Sequence, residues 1–152
     1  MPVIRKATLE DLDTLVKLRI ALLCEMVELD ENYKAKLADV IQEYFITKIP
    51  KNEFYAWVAE KDGQIIASSG LVFHQKPPIH GNLIGKEAYI MNMYTLPEWR
   101  NKGIATKLLN EVLVFVKENN VIRIRLHATD AGRKIYEKAG FIPDFTEMVL
   151  DW

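Results

Sequence analysis

The chain has 152 residues, 49% of them hydrophobic, with 20 basic and 21 acidic side chains and a net charge of -1. This size and apolar fraction suit one globular domain over 1–152, while the balanced charge argues against the broad basic surface of a nucleic-acid-binding protein. One cysteine excludes an internal disulfide, the scattered histidines leave no metal-ligand spacing, and no apolar run resembles a membrane span or a signal peptide. We therefore expect a cytoplasmic protein without nucleic-acid, membrane or metal partners.

The first third of the chain predicts a strand followed by two helices. Residues 3–7 are a short strand candidate, and Thr8 with Asp11 three residues later has the form of a helix N-cap. A stripe at helical spacing follows, formed by Leu12, Leu15, Val16, Arg19, Leu22 and Leu23. A second amphipathic helix is predicted from about 33 to 48, with Pro50 stopping it.

The middle of the chain predicts an antiparallel hairpin. Two aromatic and branched runs, 54–60 and 65–73, flank the turn pair Asp62-Gly63. Residues 75–86 contain prolines and glycines and are predicted to form a loop. A further apolar strand is predicted to end at Thr95.

The last third predicts two more helices and two more strands. After a helix that begins at about Ile104, residues 121–128 alternate as a strand. Its predicted apolar face carries Ile122, Ile124 and Leu126, and its polar face Arg123, Arg125 and His127. A short helix is predicted over 130–138, before Gly140, and residues 146–151 are expected to close the sheet.

The strongest functional pattern lies between 87 and 117. The strand that ends at Thr95 is followed by a basic loop that opens into a strongly periodic helix: Arg100-Asn101-Lys102-Gly103-Ile104-Ala105. Free N–H groups and the dipole at the start of a helix attract an anion. Arg100 and Lys102 add positive charge, and Gly103 leaves no Cβ in the way. The sequence therefore predicts a phosphate or pyrophosphate site, although neither GxxxxGK[ST] nor GxGxxG occurs.

Two segments carry a family resemblance. The basic loop resembles the R/Q-x-x-G-x-G/A signature of the GCN5-related N-acetyltransferase (GNAT) family, and residues 126–141, ending in Tyr136-Glu137-Lys138-Ala139-Gly140-Phe141, resemble its later motif. The resemblance implies an α/β (α+β layered) fold, in which a mixed, mostly antiparallel sheet is flanked by helices and a central parallel strand pair splays apart. It also implies acetyl-CoA as co-substrate, an amine acceptor of small-molecule or peptide type, and frequently a homodimer.

The same resemblance assigns cofactor contacts. In the family the pantetheine arm of coenzyme A lies between the splayed strands like another strand, so the backbone of Met93, Tyr94 and Thr95 is expected to face it. The pyrophosphate is expected to contact the loop and first helical turn, namely Arg100, Asn101, Lys102, Gly103, Ile104, Ala105 and Thr106. Thr129 stands where many relatives place an asparagine that meets the pantetheine, and its hydroxyl also offers a hydrogen bond.

Two proton transfers require catalytic groups. Tyr136 occupies the position of the family's tyrosine near the sulfur, so it is expected both to contact the cofactor and to protonate the leaving thiolate. An amine of pKa ~10.4 must lose a proton before it attacks. Glu87, which shares a strand face with Tyr89, is the predicted base, with simple solvation as the alternative explanation. Asn92 is a candidate for orienting a water or the substrate, and His127 is a further candidate base, with a structural hydrogen bond as the alternative.

The part of the sequence expected to meet the amine acceptor, which is the two N-terminal helices and the loop over 75–86, carries no motif. A group of acidic residues between the first two helices would suit a cationic amine, namely Glu25, Glu28, Asp30 and Glu31. The predicted function is direct transfer of the acetyl group of acetyl-CoA to a primary amine, since no Ser-His-acid order indicates an acyl-enzyme. The alternative is a non-catalytic acyl-CoA-binding sensor or interaction module.

Overall fold

The computed structural model describes residues 1–152 and contains one sheet whose strands lie side by side in chain order. The strands are β1 (Val3–Lys6), β2 (Tyr55–Lys61), β3 (Gln64–Gln75), β4 (Lys86–Thr95) and β5 (Arg123–Leu126). The helices are α1 (Leu12–Met26), α2 (Glu31–Lys48), α3 (Ile104–Glu118) and α4 (Asp130–Lys138). Strands β1 to β4 are antiparallel and β4 pairs with β5 in parallel, which confirms the predicted fold class. None of the helices combines the length and apolarity needed to cross a membrane.

Alternating side chains of the central strands build two separate cores, one on each face of the sheet. Trp57 and Leu71 point to the face covered by α3 and α4, whereas their neighbours Val58 and Val72 point to the face covered by α1 and α2. The α3 residues that enter the first core recur at helical spacing: Ile104, Leu108, Leu109, Val112 and Val116. This packing holds the N-terminus of α3 beside the end of β4.

The predicted turn and the predicted splay are both present. Asp62 and Gly63 have positive φ angles of 51° and 78° and join β2 to β3, as a tight hairpin requires. The β4–β5 pairing runs from Glu87 with Arg123 to Ile90 with Leu126 and then stops, although β4 continues to Thr95. Asn92 is left-handed with φ 57°, and the β3–β4 register shifts there. The edge of β4 that faces β5 is therefore free over 91–95.

Two predictions near the C-terminus are wrong. Strand β5 covers Arg123–Leu126 rather than 121–128, and Ile122, expected on its apolar face, is 70% exposed. Val121 occupies the core position instead, because the chain leaves α3 in a turn that directs this side chain inward.

The strand expected over 146–151 is also absent, and residues 142–152 make no backbone–backbone hydrogen bond. A local turn replaces it, because Asp144 accepts hydrogen bonds from the amide and hydroxyl of Thr146 at 3.1 and 2.7 Å. These bonds and Arg125, which donates to Asp144 at 3.0 Å, lower the pKa of Asp144 to about 2. The segment is thus held to β5 by side chains and not by backbone pairing.

The entry to α1 depends on one buried carboxylate. Asp11 accepts the Thr8 amide at 2.9 Å, which completes the predicted cap, and two guanidinium nitrogens of Arg5 at 2.8 and 2.9 Å. The guanidinium of Arg5 also donates to Glu60 at 2.9 Å, so it ties β1, β2 and α1 together. Arg5 first, and then the Thr8 amide, hold the pKa of Asp11 below its usual value.

We expect Asp11→Asn to lower the free energy of unfolding at pH 7 by about 1–3 kcal/mol, because Arg5 loses a charged, hydrogen-bonded partner. Since the pKa of Asp11 is lower in the folded chain, its contribution is complete above the unfolded value of ~3.9 and is lost as pH falls through the folded value. Urea unfolding at neutral pH and near pH 3 should show the difference shrinking in acid.

Asp39→Asn on the exposed side of α2 is the matched control for this substitution. It should change the unfolding free energy by less than about 0.5 kcal/mol. A difference between the wild type and Asp11→Asn that persists unchanged near pH 3 would contradict the role of the charge.

Candidate active site

The basic loop lies directly between β4 and α3, as the sequence predicts. Gly103 is the N-cap residue with a left-handed φ of 75°. The first helical hydrogen bond is donated by Lys107 to the Gly103 carbonyl at 3.2 Å, so the amides of Ile104, Ala105 and Thr106 have no backbone partner. These amides and the helix dipole form an anion site. The assignment of a pyrophosphate to this site stays a prediction.

The side chain of Arg100 is already engaged by protein groups. Its Nε donates to the Thr95 carbonyl at 2.9 Å, and a terminal nitrogen donates to Oε1 of Glu25 at 2.6 Å. Tyr94 donates its hydroxyl to the same Glu25 oxygen at 3.1 Å, and Glu25 raises the pKa of Arg100. Arg100 therefore anchors the loop to β4 and α1. Lys102 is exposed and lies 4.7 Å from the ring centroid of Trp99.

The free edge of β4 lies next to this loop. Tyr94 and Thr95 pair with Ser68 and Ala67 of β3 on one side, and no strand pairs with them on the other. Their side chains are buried, and Met93 packs against the core under α3. An extended ligand with amide groups fits such an edge, because it satisfies backbone donors and acceptors in the way that a strand does.

Helix α4 presents the later motif to the same region. Thr129 is its N-cap residue, and the Thr129 hydroxyl accepts the Gly132 amide at 3.3 Å, which leaves its own hydrogen free to be donated. Tyr136 is 8% exposed, and its ring lies 5.9 Å from that of Phe141. Burial raises the pKa of Tyr136, so the phenol keeps its proton at neutral pH.

An open cleft of about 1220 Å³ surrounds β5, between β4, α4 and the C-terminal segment. Tyr136 and Glu87, the two predicted catalytic residues, both line it, as do Tyr89 and His127. Tyr136 belongs to the core beneath α3 and α4, however, and Tyr89, on the strand face of Glu87, packs on the opposite face of the sheet. The predicted cofactor residues of β4 and the basic loop do not line it. The cleft thus lies around β5 and not along the free edge of β4.

Glu87 is not solvated, so that alternative in the sequence analysis is wrong. It is 5% exposed, and its Oε2 accepts hydrogen bonds from Lys76 at 2.8 Å and Arg125 at 3.1 Å. Lys76 first, and Arg125 next, lower the pKa of Glu87. Glu87 also lies about 10 Å along β4 from Ile90, where the splay begins, given ~3.3 Å per strand residue.

Other polar groups surround the splay. The Tyr89 hydroxyl contacts Nδ1 of His127, and Nε2 of His127 lies 3.7 Å from the Glu147 carboxylate. At the bulge, the side-chain oxygen of Asn92 is buried without a hydrogen-bond partner, as is the hydroxyl of Ser69. Ser69 was not predicted, because two adjacent serines, Ser68 and Ser69, within an apolar strand give no signal of which hydroxyl is buried without a partner.

Most of the predicted acidic group has structural partners. Glu25 binds Arg100 and Tyr94, Asp30 caps α2 through the Tyr33 amide at 2.9 Å, and Glu31 pairs with Lys34 at 2.9 Å. No group of three or more His, Cys, Asp or Glu side chains is arranged to hold a metal ion.

Known proteins resemble this chain over much of its length. The model of the acetyltransferase (GNAT) family matches residues 20–141, which confirms the resemblance found in the motifs. A solved structure described as a predicted acetyltransferase with acetyl-CoA from Clostridium acetobutylicum is 36% identical, with a TM-score of 0.88 over 99% of this chain and 96% of that one. A GCN5-related N-acetyltransferase from Ralstonia eutropha JMP134 is 27% identical, with a TM-score of 0.90 over 100% and 99%.

A characterised relative aligns over a shorter segment. Thialysine N-epsilon-acetyltransferase from Mus musculus is 26% identical over 90 residues, which is 58% of this chain and 51% of the mouse protein. The alignment therefore spans about half the length of that enzyme.

We expect Gly103→Val to weaken coenzyme A binding at least a hundredfold in calorimetry. A Cβ at Gly103 would meet no atom within 4 Å, so the variant has room to fold, but a β-branched residue is strained at φ 75° and would displace the free amides. Gly81→Val is the matched control, because Gly81 has φ 82° and open space in the β3–β4 loop. Unchanged affinity in a folded Gly103→Val protein would contradict the anion site.

Proposed function

The chain belongs to the acetyltransferase (GNAT) family, and from that premise we propose that it transfers the acetyl group of acetyl-CoA directly to a primary amine of a small-molecule or peptide acceptor. The observation that carries the proposal is the free edge of β4 beside the free amides of α3. An extended arm with amide groups, ending in a pyrophosphate, matches both features in the order in which they occur. The relative solved with acetyl-CoA supports the choice of donor.

Direct transfer requires that the amine be held against the thioester, that the amine lose a proton, and that the departing sulfur gain one. The amine nitrogen bonds to the thioester carbonyl carbon as the C–S bond breaks, so the ammonium form must first give up a proton and the departing sulfur gains one. A backbone N–H near Tyr94 polarises the carbonyl oxygen. Cys24 lies on α1 and does not line the cleft, which supports transfer without an acyl-enzyme.

Tyr136 donates the proton to the leaving thiolate. Burial keeps the phenol protonated, its hydroxyl makes no hydrogen bond to another side chain, and it lines the cleft around β5. An ordinary phenol (pKa ~10) is a weaker acid than a thiol (~8.5), so Tyr136 gives up its proton only as negative charge develops on the sulfur, and water must return a proton to the phenolate afterwards.

Glu87 removes the proton from the amine, through water. Its carboxylate is ionised at neutral pH because Lys76 and Arg125 stabilise it, and both bind only Oε2, which leaves Oε1 free to accept a hydrogen bond from water. The distance along β4 to the splay requires an intervening water chain.

Two conservative substitutions test the proton transfers. We expect Tyr136→Phe to reduce kcat at least tenfold, about 1.4 kcal/mol of barrier, with the Kd for acetyl-CoA unchanged. Glu87→Gln should reduce kcat and flatten the acid limb of the pH–rate profile, because the group that must be ionised is gone. Thiol release from acetyl-CoA across a panel of amines measures both.

Tyr44→Phe provides the matched control for Tyr136→Phe, since Tyr44 is exposed on α2. It should leave turnover unchanged. An unreduced kcat in Tyr136→Phe would show that Tyr136 is not the acid. An unaltered pH–rate profile in Glu87→Gln would show that Glu87 is not the base. Tight acetyl-CoA binding without thiol release across the panel would contradict transfer itself and favour a sensor.

We also propose that the chain forms a homodimer in the cytoplasm. Its C-terminal segment exposes large apolar side chains, and Met148, Leu150 and Trp152 would share one face of an extended strand. Strand β5 has no strand neighbour on its outer edge. A second copy supplies both missing partners, because the segment of each protomer can pair with β5 of the other.

The dimer is tested by light scattering after gel filtration. The wild type should have twice the monomer mass at micromolar concentration, whereas Met148→Lys with Leu150→Lys should be monomeric, because charges on the apolar face prevent its burial. Val114→Lys, which replaces an exposed apolar residue of α3, is the control and should remain dimeric. A monomeric wild type would contradict the pairing.

A further inference from the structure

Helix α1 carries an arginine on the side that faces the sheet. Leu15 and Val16 are buried in the core beneath α1 and α2, and Arg19 follows them by four and three residues, which places it on the same helix face. Arg19 is partly buried, and its guanidinium forms no hydrogen bond or ion pair with another protein group. Burial lowers the pKa of Arg19, and the titratable group that acts on it is Tyr89 of β4.

The other arginines are either paired or exposed. Three bind protein carboxylates, namely Arg5, Arg100 and Arg125. Two are exposed to water, namely Arg123 and Arg133. Arg19 alone is drawn away from water without a counter-charge, which costs free energy that no protein group offsets. Such a charge is expected where a ligand supplies the missing anion.

The location of Arg19 indicates which ligand that is. Tyr89 packs against the same core as Leu15 and Val16 and lines the cleft around β5, so the side of α1 that carries Arg19 lies over the part of β4 that borders this cleft. The acetyl-CoA residues lie beyond the bulge, on 93–95 and at the start of α3. The missing anion therefore belongs to the acceptor and not to the phosphates of the donor.

The cations around Arg19 indicate how much negative charge the missing anion carries. Lys76 and Arg125, which line the same cleft, are both bound to Glu87. Arg123 and Arg133 also line the cleft but are exposed to water. Arg19 is thus the partly buried cation beside the cleft that has no protein partner, and one guanidinium matches one carboxylate through two parallel hydrogen bonds.

We propose, on the basis of the acetyl transfer proposed above, that Arg19 binds the carboxylate of the acceptor, so that the acceptor class is an amino acid or another amine that also carries a carboxylate. Arg19 then acts as a specificity residue: it holds one end of the acceptor while the amine at the other end reaches the thioester. Acceptors that are purely cationic, such as polyamines, lack the group that Arg19 binds.

Matched acceptor pairs test this assignment. Thiol release from acetyl-CoA is measured with amino acids and with their decarboxylated forms: lysine with cadaverine, and ornithine with putrescine. The wild type should favour the acid of a pair by at least tenfold in kcat/KM. Arg19→Gln should abolish this preference by raising KM for the acid, with kcat and the Kd for acetyl-CoA within about threefold of the wild type. Lys17→Gln, an exposed cation on the same helix, should keep the preference.

The outcomes separate the two proposals. Equal rates within each pair, or equal losses on both members in Arg19→Gln, overturn the role of Arg19 and leave acetyl transfer intact. If no amine is acetylated although acetyl-CoA binds, the proposed transfer fails, and thermal unfolding decides the role of Arg19. Arg19→Met should raise the Tm of the free protein by about 2 °C or more, because an uncompensated charge is removed. A lowered Tm means that Arg19 is structural and overturns the inference.

Discussion

The early end of the pairing between β4 and β5 is the constraint on which the site depends. Strand β5 contributes only Arg123–Leu126, so the last residues of β4 keep one edge unpaired. Backbone groups at such an edge need partners, and the bulge at Asn92 turns the strand at the point where pairing stops. Because α3 begins a short loop later, a ligand that pairs with this edge reaches the free helical amides without changing direction.

Helix α1 connects the two halves of the site. At its end, Glu25 holds Arg100 and Tyr94, and so fixes the basic loop and the end of β4. Earlier in the same helix, the side that carries Arg19 packs in one core with Tyr89, a β4 residue that lines the cleft. One rigid element therefore sets the position of the donor loop and of the proposed acceptor anchor, because a shift of α1 would move both.

Periodicity and turn chemistry predicted most of the fold. The Asp62-Gly63 pair predicted the hairpin, and the basic residues and one glycine predicted the loop before α3. Both features are local, because they depend on residues that are neighbours in sequence. The last strand, predicted over 146–151, is absent, because a local turn at Asp144 and the bond from Arg125 to Asp144 hold the segment through side chains instead of backbone pairing. The burial of Glu87 depends on Lys76 and Arg125, which only the folded chain brings together. Arg19 did leave a signal, a charge within an apolar stripe.

The surroundings of Tyr136 and Glu87 shift the pKa values of these two groups in opposite directions. Desolvation raises the pKa of Tyr136, whereas two cations lower the pKa of Glu87, so at neutral pH one group holds its proton and the other does not. Both proton transfers run against a difference in pKa: a phenol of raised pKa is a weaker acid than a thiol, and a carboxylate of lowered pKa takes a proton from an ammonium only against a large difference. The amine must consequently be made more acidic where it binds. Arg19 contributes to this, because its pairing with the acceptor carboxylate cancels a negative charge that would otherwise favour the ammonium form.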